Sequence, residues 1–187
     1  MTAKPPTEPP ERKLRRAPSL VLVHTGDGKG KTTAAMGTVL RALARDWRVF
    51  VVQFVKSGRW HSGEVRLLTE LGAEWQTMGD GFTWDSDDLD RSAEMAREAW
   101  LRGREAIASG EYQLVLLDEI TYPINWGWLD GNDVVAAITK RPPPVNVVLT
   151  GRDAPAELIA IADTVSEVRN VKHAFDAGFR AAKGIDF

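Results

Sequence analysis

The chain is 187 residues long, 43% hydrophobic and 27% charged, with a net charge of −2 and no cysteine. That length suits one well-buried core and is short for two domains, and the charge balance excludes general attraction to nucleic acid or an anionic membrane. The missing thiols exclude a disulfide framework, a thiolate metal site and a cysteine nucleophile; with no apolar run of membrane-span length and no signal-like apolar core at the N-terminus, the chain reads as cytoplasmic.

Residues 1–18 are rich in proline and carry the mixed charges Glu11, Arg12, Lys13, Arg15 and Arg16, which predicts a flexible arm with little to bury. Residues 19–187 then read as one domain. Strands are expected at 20–24, 48–55, 113–118, 146–150 and 164–169, alternating with helices at 31–45, 64–71, 89–108, 132–140 and 155–162. Ala35, Val39, Ala42 and Leu43 share one face of the first helix, and Pro142, Pro143 and Pro144 stop the fourth. The alternation predicts an α/β fold, a mostly parallel sheet with helices on both faces.

The first strand runs into a glycine-rich turn, LVLVHTGDGKGKTT from Leu20 to Thr33. A buried strand, a turn whose backbone N–H groups line one concavity and a helix that starts beneath them make a phosphate-binding loop, as in P-loop NTPases. Thr25, Gly26, Asp27, Gly28, Lys29, Gly30, Lys31, Thr32 and Thr33 are therefore the candidate ATP-binding residues. Lys31 is placed to meet phosphate oxygens, and the Thr32 hydroxyl to hold Mg²⁺ or Mn²⁺. The usual spacing has glycine where this chain has Thr25.

QLVLLDE, from Gln113 to Glu119, reads as a buried strand ending in two carboxylates. In phosphate-loop proteins such a strand runs beside the loop strand and its terminal Asp holds the metal, so Asp118 takes that role. Glu119 is either a further metal-site carboxylate or the group that orients an attacking water. Arg152, just past the strand ending at Thr150, sits where open sheets bind ligands and clamps a phosphate, caps a helix or pairs with Asp153. Lys56 is a weaker candidate of the same kind. Among the seven tryptophans, Trp47, Trp75 and Trp100 read as packing residues. His24, His61 and His173 are too scattered to form a metal set.

Five segments together narrow the chemistry: TGDGKGKTTAA, MGDGFTW (Met78–Trp84), DEITYPINWGWL (Asp118–Leu129), VLTGR (Val148–Arg152) and ADTVSEVRNVKHAFDAGFRAAKGID (Ala162–Asp186). In order and spacing they resemble the corrinoid adenosyltransferases of vitamin B12 biosynthesis, from about Leu20 to Phe187. The resemblance implies transfer of the 5′-deoxyadenosyl group of ATP to Co(I) of a reduced corrinoid, cobyrinic acid a,c-diamide or cobalamin, with release of triphosphate. Lys31, Asp118 and Glu119 would then serve catalysis, with Thr32, Asp118 and Glu119 around the metal. Phe82 and Trp84 would line the corrinoid, and Trp126 and Trp128 either face it or pack. The resemblance also implies a homodimer and a flavin or flavoprotein that reduces Co(II). Asp27 departs from the family, whose loop more often has Asn, and is expected to point outward or meet a cation. The role of His173 does not follow from its chemistry. The alternative reading is a P-loop ATPase module that drives a partner protein or nucleic acid.

Overall fold

A computed structural model describes residues 15–55, 63–79 and 89–186. Phe82, Trp84, Lys56 and His61 lie outside these residues, as does the arm expected over 1–18 apart from its last four residues.

The described chain runs β1 (Val21–Thr25), α1 (Lys31–Leu43), β2 (Val49–Gln53), α2 (Gly63–Glu70), β3 (Glu74–Thr77), α3 (Leu89–Ser109), β4 (Leu114–Asp118), α4 (Thr121–Asn125), α5 (Gly131–Thr139), β5 (Asn146–Thr150), α6 (Ala156–Ile161) and β6 (Thr164–Glu167), then a 3-10 turn at Phe175–Ala177. The six strands form one sheet in the order β3-β2-β4-β5-β1-β6, and the paired strands are parallel. All five expected strands and all five expected helices are present, with ends shifted by up to two residues. Two elements were not expected. β3 is a four-residue polar edge strand, too short for a periodic signal, and α4 carries Pro123 in its first turn, where the missing N–H has no intrahelical acceptor to lose.

The strands are apolar on both faces because both are covered. Val21, Val23, Phe50, Val52, Val115, Leu117, Val147 and Leu149 pack under α3, α5 and α6, in one core with Ala99, Trp100, Ile107, Val134, Ile138 and Leu158. Val49, Val51, Leu114, Leu116 and Val148 face α1 and α2 through Ala35, Met36, Val39 and Leu68. Gly103 lets α3 lie against β4, since a Cβ there would come within 2.8 Å of Leu117 Cδ2. Trp100 is buried and donates its indole N–H to Asp133 at 2.7 Å, as a packing tryptophan with a polar handle should.

The strand order corrects one expectation. β4, which ends in Asp118, does not lie beside the loop strand β1, because β5 intervenes and pairs with both. The crossovers into parallel strands look alike in sequence whichever neighbour they reach. The carboxylate still meets the loop, because α1 lies across β1, β5 and β4.

Candidate active site

Side-chain alternation determines what the carboxyl edge of the sheet offers. Residues on the α1 face end with Gln53 on β2, Asp118 on β4, Thr150 on β5 and His24 on β1; Gln53 pairs with Asp118 and His24 with Thr150 in the strand register. All four are buried. Asp118 is the hub of this polar row. Its Oδ2 accepts from Gln53 Nε2 at 3.0 Å, and its Oδ1 accepts from Thr150 Oγ1 at 2.7 Å and from Thr32 Oγ1 at 3.0 Å. His24 ends the row with neither ring nitrogen hydrogen-bonded among the described residues, and burial holds its pKa below the ordinary value, so the ring is neutral at physiological pH.

Above the row sits the loop. Gly26 and Gly30 adopt positive φ, +95° and +124°, and α1 starts at Lys31 with no side-chain cap and no acidic residue in its first turn. Its leading N–H groups and the positive end of its dipole are thus left for an anion. Lys31 folds over the loop, donating from Nζ to the carbonyls of Gly26 at 2.6 Å and Gly28 at 2.8 Å. Burial, and next the Arg152 guanidinium, lower its pKa, while Asp27, Glu119 and Asp153 act in the opposite sense. Lys31 and Arg152 therefore share one field, and no ion pair joins Arg152 to Asp153 among the described residues.

Thr25 closes β1 rather than lining the concavity: its hydroxyl accepts from the N–H of Ala154 at 3.0 Å. Glu119 follows Asp118 in a left-handed conformation, φ +67°, with its N–H donated to Thr150 Oγ1 at 2.8 Å. Beyond it an aromatic ladder leads away from the phosphate site. Tyr122 stacks on Trp126 with centroids 5.5 Å apart, and Trp126 meets Trp128 at 4.7 Å across the turn at Gly127, φ +72°. Burial, then the charge of Glu119, raise the Tyr122 pKa, which ties the ladder electrostatically to the carboxylate edge.

The C-terminal tail packs on the other side of the loop. Val168 N donates to Thr25 O at 2.8 Å, and Gly28 N donates to Val168 O at 2.7 Å. A Cβ on Gly26 would stand 2.6 Å from Val168 O, and one on Gly28 would stand 2.7 Å from Arg169 O. These two glycines are required by the approach of the tail, a reason the loop motif alone does not reveal. The VKHAFDAG segment forms a compact turn: His173 Nδ1 accepts from the N–H of Phe175, Asn170 bonds Asp176, and Gly178 ends the 3-10 turn in the left-handed region. Lys29 pairs with Asp186. Between tail and loop lies a cavity of about 270 Å³, lined by Asp27, Arg152, His173, Asp176, Arg180 and Asp186 among others.

Residues 17–187 match the family model ATP:corrinoid adenosyltransferase BtuR/CobO/CobP. The chain belongs to this family. It is 45% identical to the corrinoid adenosyltransferase of Escherichia coli (strain K12) over 168 residues, which cover 90% of this chain and 85% of that protein. It is 43% identical to the corrinoid adenosyltransferase CobA of Salmonella typhimurium (strain LT2), with the same coverage. Among solved structures, the flagellar accessory protein FlaH of Methanocaldococcus jannaschii shares the fold at 12% identity, with a TM-score of 0.52 over 80% of this chain and 70% of that one.

This member of the adenosyltransferase family is thus an α/β enzyme of the P-loop type, and ATP and a corrinoid fit it as substrates. The structure brings together Gly26 to Thr33, Asp118, Glu119 and Arg152, as the sequence reading grouped them. It adds Gln53, Thr150 and Tyr122, which that reading gave no role. Gln53 and Thr150 carried a signal, as polar residues that end otherwise apolar strands. Among the described residues, no helix is long and apolar enough to cross a membrane, and no group of three or more His, Cys, Asp or Glu residues could hold a metal ion by itself.

Proposed function

We propose that this site holds the triphosphate of ATP as a leaving group while Co(I) of a reduced corrinoid attacks the ribose C5′, forming a Co–C bond. The observation that carries the reading is that the uncapped start of α1 meets the Asp118 hub through Thr32 while Lys31 folds over the same loop. Lys31, Arg152 and the loop amides stabilise the charge that develops on the departing triphosphate. Co(I) has no proton to lose, so the reaction needs no general base, and Glu119 serves as a metal-site or orienting carboxylate rather than as a water activator.

The hard oxygen donors Thr32 Oγ1 and Asp118 Oδ1, 3.0 Å apart, suit Mg²⁺ or Mn²⁺. Thr32 and Asp118 would hold the ion, with Glu119 nearby. The ion, when bound, supplies charge neutralisation along the phosphates. Phe82 and Trp84 serve as the apolar wall that keeps a lower ligand off cobalt and so eases reduction of Co(II) by a flavin or flavoprotein, and Trp126, itself exposed, offers a further aromatic face to the corrinoid. A homodimer, carried over from the family, and a cytoplasmic setting, read from composition, complete the proposal.

The test mixes protein, ATP, Mg²⁺ and chemically reduced cobalamin without oxygen. A light-sensitive alkyl-cobalt product with equimolar triphosphate is the expected result, whereas orthophosphate or ADP without a Co–C bond would overturn the reading. Trp84→Ala should lose activity with Co(II) and a reductase but keep it with pre-reduced Co(I). Equal loss with both removes the reduction role.

A further inference from the structure

Thr150 is fully buried, yet its hydroxyl is engaged in both senses: it donates to Asp118 Oδ1 at 2.7 Å and accepts from the N–H of Glu119 at 2.8 Å. The two groups it joins are the carboxylate that meets Thr32 and the backbone of the next residue, held at φ +67°, where a side chain other than glycine is strained. Neighbouring contacts hold the hydroxyl in place. Gly151 has φ +143°, and a Cβ there would run into Thr121, whose hydroxyl donates to Arg152 O at 2.6 Å. On the far side Gln53 Nε2 holds the other oxygen of Asp118. The carboxylate is thus oriented from β5 and from β2.

We propose that Thr150 is a positioning residue of this adenosyltransferase, whose single hydroxyl sets the Asp118 carboxylate toward Thr32 and locks the turn that carries Glu119, with Gln53 as its counterpart on the opposite oxygen. The inference rests on the reading that Thr32 and Asp118 hold a divalent ion with ATP. Groups that orient a metal ligand typically change metal affinity by about 10–100-fold when removed.

Thr150→Val keeps the shape and removes the hydroxyl, and Thr150→Ser keeps the hydroxyl. Calorimetric binding of ATP with and without Mn²⁺, in the absence of corrinoid, separates the two roles. The valine variant should bind Mn²⁺·ATP about 10–100-fold more weakly. Metal-free ATP binding should be little changed, and the serine variant should stay near the parent. Parent-like Mn²⁺·ATP affinity in Thr150→Val, or equal loss in Thr150→Ser, would overturn the proposal, since the site would then need only the side chain's bulk or nothing from it. Should Thr150→Val fail to fold, Thr150→Cys, of similar size and weaker as a donor, is measured against the same two outcomes. A parent protein whose ATP binding ignores Mn²⁺ overturns the metal reading itself, a result distinct from a metal-dependent parent with an indifferent Thr150 variant.

Discussion

On the side of the phosphate loop that faces β4 and β5, the anchors are side chains: half-buried Thr32 on buried Asp118, with Asp118 held in turn by buried Gln53 and Thr150. On the side that faces β6 and the tail, the anchors are backbone groups, Gly28 on Val168 and Val168 on Thr25, and one half-exposed ion pair, Lys29 with Asp186. The tail itself is thinly packed, with Phe175 75% and Ile185 77% exposed. The first flank resembles a core in which polar groups replaced apolar ones; its geometry is rigid because an unmade hydrogen bond there has no water to replace it. The second flank is a strap laid over a surface, held by fit rather than by burial. The Asp118 carboxylate stands on the rigid side, and the cavity, which Arg152 also lines, opens on the other.

The contrast breaks most readily where charge meets the loop. Asp118→Ala and Lys31→Ala should each lower the adenosyl-transfer rate with pre-reduced corrinoid by at least about 10²-fold, the usual loss when a group that stabilises developing charge is removed. Lys31→Ala should leave the melting temperature unchanged or raised, since burial already disfavours its ammonium. A Lys31 variant that melts far lower would mean the lysine is structural. On the strap side, Gly28→Ala forces a methyl group against Arg169 O and should cost about 1–3 kcal/mol of stability in denaturant unfolding. No loss would show that the tail yields easily.

The smallest effect is expected at Lys29 and Asp186. The N–H of Ala182, and then Lys29, hold the Asp186 carboxyl below its usual pKa. A carboxylate with a depressed folded-state pKa stabilises the fold above its unfolded value, and that contribution is lost as pH falls through the folded value. Protection of the tail from proteolysis should therefore hold near neutral pH and decline below about pH 4. It should also weaken in high salt, and Asp186→Asn should mimic the acid effect with little change in turnover. If Asp186→Asn instead reduced turnover as far as Asp118→Ala does, the two flanks would be equivalent and the comparison would fail.

Much of the site was legible in sequence. Val21 to Thr25 followed by glycines and Lys31-Thr32, and an apolar strand ending at Asp118, are local patterns, and each element formed where its periodicity placed it. Thr25 was legible as part of the motif but not as a strand residue bracing Ala154. The α4 helix and its aromatic ladder were obscured by Pro123, and β3 by its length and polarity.

What the sequence determined by itself is the five strands and five helices with a clear periodicity, the phosphate loop and the family, because these depend on residues near one another along the chain or on motifs in fixed order. Only the tertiary structure decided that β5 separates the loop strand from the Asp118 strand. It also decided that Gln53, Thr150 and Thr32 meet on one carboxylate, and that the glycines at 26 and 28 make room for Val168 and Arg169. Those facts join residues from 32 to more than 140 positions apart, and their geometry comes from strand order and register, which parallel crossovers leave unmarked in the local pattern.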